Sequence, residues 1–229
     1  MSDTDTSADM PVDKTAATPD PMVIRHLEYL GPMATVDGWR PDNQLPEIAF
    51  AGRSNVGKSS LLNKLMRRKS FARVSTTPGR TREIHFFDVN HQFVLADLPG
   101  YGYARISKAR KAEWRPLIEG YLGTSPRLQG VVQLLDVRHD PTDEDYVMMD
   151  FLAEVGVPTI VAITKTDKLK PVQARARVEE LCKRLGLDPD QVVPFSAQTG
   201  EGRNELAAAL MQLLAMPDWR TVAEDEEEQ

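Results

Sequence analysis

One cysteine, Cys182, stands among 229 residues, so no internal disulfide can form. Four scattered histidines (His26, His85, His91 and His139) with that single thiol cannot assemble a Cys/His zinc cluster. A reducing cytoplasm is the expected compartment. No apolar run approaches the roughly 20 residues that cross a bilayer. The opening MSDTDTSADM lacks the basic and apolar regions of a secretory signal. Transmembrane, secreted and fibrous classes are excluded on these grounds, and no internal repeat is visible. What remains is ordinary globular composition, 41% hydrophobic.

The net charge of -6 is concentrated at the ends. Residues 1–22 carry five acids and one base, and Glu224, Asp225, Glu226, Glu227 and Glu228 form an acidic run, so residues 23–220 hold 27 bases against 24 acids. Both ends are expected to be disordered: 1–22 is rich in Ser, Thr, Asp and Pro, and 221–229 is a like-charge tail. The mildly basic body between them, one domain over 23–220, suits an RNA-rich partner and an ordinary mixed surface equally.

Within that body short β-rich runs alternate with helical periodicity. Glu47–Ala51 reads as a buried strand, and Leu61, Leu62 and Leu65 give helical spacing from Ser59 to Met66. Ile84–Val89 and Gln92–Asp97 flank an Asn90-His91 turn, the pattern of an antiparallel hairpin. Strands are expected at 130–137, 157–164 and 191–195, and helices at 108–122, 142–155, 172–185 and 203–214. The alternation predicts an α/β three-layer sandwich, with a mainly parallel sheet covered on both faces and one antiparallel edge hairpin.

Gly52-Arg53-Ser54-Asn55-Val56-Gly57-Lys58-Ser59 matches G-x-x-x-x-G-K-[ST] in the strand-to-helix context that the motif needs. Glycines let successive backbone N–H groups face an anion, Lys58 reaches β- and γ-phosphates, and the Ser59 hydroxyl suits Mg²⁺. Asp97-Leu98-Pro99-Gly100 closes an apolar strand, where a carboxylate can hold Mg²⁺ through water and the Gly100 N–H can sense a γ-phosphate. Thr164-Lys165-Thr166-Asp167 and Ser196-Ala197-Gln198 follow two further strands. Asp167 can accept both N1–H and N2–H₂ of guanine, a donor pair that adenine lacks, and Lys165 can lay its aliphatic stem along the base. Each tetrapeptide alone is an ordinary turn; their order and joint occurrence favour guanine.

These motifs, with Thr77-Pro78-Gly79-Arg80-Thr81 and Gly100-Tyr101-Gly102-Tyr103-Ala104 before a basic helix containing Trp114, resemble the EngB family of small bacterial P-loop GTPases from about Glu47 to Leu214. The resemblance implies the P-loop NTPase form of that sandwich and Mg²⁺-dependent binding and slow hydrolysis of GTP, with GTP and GDP as ligands. It further implies a role in assembly of the large ribosomal subunit and a link to normal division and septation. Thr81 is then the switch threonine that joins Ser59 on Mg²⁺. Ser60, Gly79, Arg80, Arg82 and Glu83 extend the nucleotide contacts, and the Ala197 N–H meets the base carbonyl. Thr164, where many GTPases carry Asn, is expected to weaken only local loop hydrogen bonding.

Hydrolysis is less legible. The residue after Gly100 is Tyr101, a poor substitute for the glutamine that orients water in Ras-like enzymes. Asn55 occupies the position where similar GTPases hold a monovalent cation, so potassium is an expected stimulator, although asparagine also suits a turn. Lys58, Thr81 and Asn55 are thus the candidate catalytic residues. Arg105, Lys108, Arg110, Lys111 and Arg115 offer either a nucleotide-controlled contact for ribosomal RNA or a solvated helix face. A monomer with the large ribosomal subunit as partner, and with no membrane or DNA, is expected. The alternatives are a GTP-binding division protein without ribosome contact and an ATP-using P-loop kinase.

Overall fold

Alternation along one strand sorts its residues between two cores. In the segment Glu47–Gly52, Ile48 and Phe50 enter one apolar cluster and Ala49 and Ala51 the other. Both faces of the sheet are therefore covered, which is why the segment reads in sequence as continuously apolar. The computed structural model describes residues 19–69, 71, 83–102 and 108–221, with backbone alone over 108–114. Its elements run β1 (Leu27–Met33), β2 (Glu47–Gly52), α1 (Lys58–Leu65), β3 (Ile84–Val89), β4 (Phe93–Asp97), α2 (Lys108–Thr124), β5 (Leu128–Asp136), α3 (Asp143–Val155), β6 (Thr159–Thr164), α4 (Pro171–Leu185), β7 (Val192–Phe195) and α5 (Arg203–Ala215).

The strands of the described residues form one seven-stranded sheet in the order β1-β3-β4-β2-β5-β6-β7. Pairs β4–β2, β2–β5, β5–β6 and β6–β7 are parallel, and the hairpin β3–β4 is antiparallel. Leucines of α1 and α5 pack on one face of the sheet. Residues of α2 and α3, and Leu181 of α4, pack on the other. The hairpin turns through Asn90 (φ 57°) and His91 (φ 55°), the two positive-φ residues of a type I′ turn that matches strand twist.

The pattern reading missed β1. It pairs antiparallel with β3 outside the expected hairpin, with a bulge between Tyr29 and Gly31. Gly31 and Pro32 interrupt the run, and proline is tolerated in a strand only at an edge such as this one. Residues just before β1 also pack. Met22 is buried in the α1/α5 core, and the Arg203 guanidinium donates to Asp20 and to the carbonyls of Met22 and Leu65. The folded body therefore includes residues read from sequence as the end of a tail. Among the described residues no helix is long and apolar enough to cross a membrane.

Candidate functional site

The parallel strands β2, β4, β5, β6 and β7 share a direction, so the loops after their carboxyl ends gather at one edge, where open α/β sheets bind ligands. The loop from Gly52 to Lys58 turns through Asn55 (φ 67°) and Gly57 (φ 110°). Asparagine is one of the few side-chain-bearing residues that adopts this left-handed conformation readily. Gly57 is the N-cap of α1 and brings no side chain to the first N–H groups of the helix. That end is suited to an anion by its free donors and by the macrodipole. The loop is tied to the segment after β4: Ser54 N donates to Tyr101 O (2.7 Å), Tyr101 N to Gly52 O (3.3 Å), and Ser54 Oγ to Gly100 O (3.1 Å). A Cβ on Gly100 would lie 3.2 Å from Ser54 Cα, so glycine is what lets the two backbones approach.

Asp97 ends β4 directly beside Phe50 of β2, and its carboxylate is paired with the Lys58 ammonium. Both side chains are largely buried, at 3% and 12% exposure. The arrangement places one cation and one carboxylate at the mouth of the loop, and Ser59 follows Lys58 in the first turn of α1. Oxygen donors of this kind fit a hard divalent cation such as Mg²⁺. Across the hairpin, His85 lies opposite Asp97, with its Nδ1 3.0 Å from the Tyr29 hydroxyl and its Nε2 buried without a hydrogen bond. Burial pulls the His85 imidazole below its ordinary pKa, with Asp97 and Glu83 opposing that shift. The sequence reading passed over His85. The available signal was its strand position, alternating with Phe87 on the face that Asp97 also occupies.

The other half of the site is built from hydrogen bonds among the chain's own groups. Lys165, in left-handed conformation (φ 63°), places Nζ 2.6 Å from Asn55 O and 2.8 Å from Asp136 Oδ2. Burial works to raise the Asp136 pKa, yet hydrogen bonds from Arg138 and Lys165 outweigh it and hold the carboxyl well below the usual range. Thr164 Oγ1 lies 2.7 Å from Val56 O and 3.0 Å from Leu135 O. This threonine ties the phosphate loop to the sheet, where only weakened local bonding was expected. Ser196 Oγ donates to Asp167 Oδ1 (2.7 Å), and Lys168 Nζ lies 3.1 Å from Oδ2. The Ser196 bond is the main cause of the lowered Asp167 pKa, so the group is an acceptor throughout the neutral range.

A residue absent from the sequence reading joins these two loops. Glu201 accepts from Thr166 Oγ1 (2.7 Å) through its side chain and from Ser196 N (3.0 Å) through its carbonyl. Ser196 O in turn accepts from Gly200 N (2.8 Å), which closes the turn that carries Ala197 and Gln198. Gly200 and Gly202 flank Glu201 at φ 93° and 77°, and the Gly-Glu-Gly spacing was the signal available for it.

Tyr101 is 1% exposed. Its hydroxyl donates to Asp145 Oδ1 (2.9 Å) and accepts from Gln133 Nε2. Burial first, then the Asp145 charge, raise the phenol well above its ordinary pKa. This side chain therefore anchors the segment after Gly100 to α3. Gly79, Arg80, Thr81 and Arg82 lie outside the described residues, as do Arg105 and the side chains of Lys108, Arg110, Lys111 and Trp114. Glu83 precedes β3 with its carboxylate 4.0 Å from His85 Nε2. Arg115 is described, and its Nε lies 2.5 Å from Glu119 one turn along α2.

Comparison with known proteins agrees with this geometry. A family profile described as 50S ribosome-binding GTPase matches residues 47–165, more than half of the chain. The chain is 90% identical over 204 residues to the probable GTP-binding protein EngB of Gemmatimonas aurantiaca, covering 89% of this chain and all of that protein. It is 48% identical over 174 residues to the EngB of Syntrophomonas wolfei, covering 76% of this chain and 90% of that one. Among solved structures, a probable GTP-binding protein EngB superposes with a TM-score of 0.64 at 26% identity, covering 73% of this chain and 98% of that chain. With its phosphate loop, the carboxylates of Asp97 and Asp167 at strand ends and these relatives in agreement, the chain belongs to the EngB family of GTP-binding P-loop GTPases.

Proposed function

We propose that the protein is a cytoplasmic GTP/GDP switch that acts with Mg²⁺ in assembly of the large ribosomal subunit and is needed for normal division and septation. The supporting observation is the ribosome-binding GTPase profile matched across the phosphate loop, the Asp97 segment and the start of the guanine loop. In this reading Lys58 leaves Asp97 to meet the β- and γ-phosphates, and loop N–H groups from Gly52 to Ser60 surround them. Leu98, Pro99 and the Gly100 N–H report whether the γ-phosphate is present. Asp167 accepts the two guanine donors, the Lys165 stem covers the base, and Ala197 N–H meets its carbonyl. Ser59, Asp97 through water, and Thr81 would hold Mg²⁺, which when bound neutralises phosphate charge.

Slow intrinsic hydrolysis fits a Tyr101 hydroxyl that is committed to Asp145 and Gln133. Potassium beside Asn55 is the proposed stimulator. The left-handed backbone at Asn55 is already a sufficient reason for asparagine there, so turnover in potassium and in sodium must be compared, and equal rates would remove the cation from the account. The basic segment from Arg105 to Arg115 is the proposed RNA contact.

Co-sedimentation with large ribosomal subunits at near-physiological salt tests the proposal, since low salt inflates binding to the RNA backbone. Binding with a non-hydrolysable GTP analogue and not with GDP is the expected result. Absence of binding in both states would leave the GTPase standing and favour the division role without ribosome contact.

A further inference from the structure

At the end of the sheet opposite the nucleotide loops, the β3–β4 turn brings together three metal-binding side chains. His26, Asp88 and His91 each offer one ligand atom within 4.8 Å of the other two. β4 and the turn separate His91 from Asp97 by six residues, about 20 Å at strand rise, so this cluster is distinct from the Mg²⁺ site. The sequence reading treated these histidines as scattered, because His26 lies far from His91 along the chain. The turn joins them. Asn90 Oδ1 accepts from the backbone N–H of Arg25 (2.7 Å) and His26 (3.0 Å), Asn90 Nδ2 donates to Val23 O (2.8 Å), and Asn90 N donates to His26 O (3.0 Å).

The groups are held as ligands in a built site would be. Asp88 is 7% exposed and accepts the His91 backbone N–H at Oδ1 (2.8 Å), while Oδ2 lies 2.9 Å from His91 Nδ1. The two imidazoles stack with centroids 4.1 Å apart. His26 Nε2 is buried and makes no hydrogen bond, although it lies 3.3 Å from a carboxylate oxygen of Glu28. Glu28 is paired with Asp88 across β1–β3, so a second carboxylate stands at the rim. A groove of about 410 Å³ opens beside the histidines, lined also by Asp20, Arg25, Gln92 and Met211.

We propose that His26, Asp88 and His91 bind one zinc-class divalent transition metal ion, which clamps the segment before β1 to the β3–β4 turn. Two imidazoles and a carboxylate suit zinc and its late first-row neighbours and do not suit Mg²⁺, which prefers oxygen alone. Drawing the ligand atoms onto one ion brings them to about 3.3 Å apart, given metal–nitrogen bonds of roughly 2.0–2.1 Å. Rotation of the exposed His91 ring and the half-exposed His26 ring supplies that movement without disturbing the backbone.

The test is calorimetric titration of the untagged full-length chain with Zn²⁺, saturated beforehand with Mg²⁺ and GDP so that the nucleotide site is filled. A parallel titration with Co²⁺ reads the ligand field. The expected result is one Zn²⁺ per chain, a raised melting temperature, and affinity at least about tenfold weaker in His91→Asn and in His26→Gln. Asparagine tolerates the positive φ at position 91, so that variant keeps the turn; unchanged GDP affinity will confirm the fold of each. A Cys182→Ser variant should bind Zn²⁺ as the parent does. Undiminished binding in both histidine variants, or no Zn²⁺ binding by the parent at micromolar concentration, would overturn the proposal.

Discussion

The two halves of the nucleotide site differ in how they are held before any nucleotide arrives. On the guanine side, Asp167, Ser196, Thr166, Glu201, Lys165 and Asp136 satisfy one another through short hydrogen bonds and ion pairs. On the phosphate side the principal cation, Lys58, is spent on Asp97. Under the proposed assignment the base platform is preorganised, while the phosphate side exchanges an internal ion pair for contacts with the ligand. Such a division suits the base end to selectivity and the phosphate end to sensing, because the Lys58–Asp97 pair is a contact that nucleotide state can break.

Four substitutions sharpen or break that contrast. Gly202→Ala is expected to cost the most: at φ 77° its Cβ would be driven into the Pro194 carbonyl oxygen, and about 3 kcal/mol of stability should be lost in denaturant unfolding. Lys58→Ala should weaken GDP binding by about 2–3 kcal/mol, roughly 30- to 150-fold in calorimetry, by removing a charge-assisted contact. Tyr101→Phe should cost about 2 kcal/mol of stability by removing the hydroxyl that serves Asp145 Oδ1 and Gln133 Nε2, yet leave single-turnover hydrolysis unchanged. A slowed chemical step would instead put the phenol in the reaction. Glu201→Ala should have the smallest effect, about 1 kcal/mol or fivefold in GDP affinity, through the loosened Thr166 loop.

Acid should act on the half of the site that holds Asp136 and Asp167. A carboxyl whose pKa is lowered by folding contributes stability above the ordinary carboxylate range and loses it as pH falls through the folded value. Asp136 and Asp167 are both of this kind, so melting temperature should be flat near neutrality and fall only in acid.

Much of this was legible in the sequence because local chemistry dictates it. The phosphate loop follows from glycine and lysine spacing, and the hairpin from Asn90-His91 between two apolar runs. The strand ends after β6 and β7 were legible through Asp167 and Ser196, which touch in the fold as their motifs suggest. What escaped was long-range. β1 is stabilised by pairing with β3 rather than by its own propensity, since Gly31 and Pro32 oppose a strand. Arg203 reaches Asp20 across most of the chain, and no local pattern announces that partner. His85 and Glu201 acquire their significance only from neighbours that the sheet supplies, and the same holds for His26 beside His91.

The claim that a preformed carboxylate selects the base is tested most directly by measuring GDP and xanthosine diphosphate affinities for the parent and for Asp167→Asn. The account predicts that the variant loses roughly two orders of magnitude or more for GDP and comes to prefer xanthosine diphosphate, because the amide donates where the carboxylate accepted. A variant that keeps its GDP affinity and its discrimination against xanthine would contradict it.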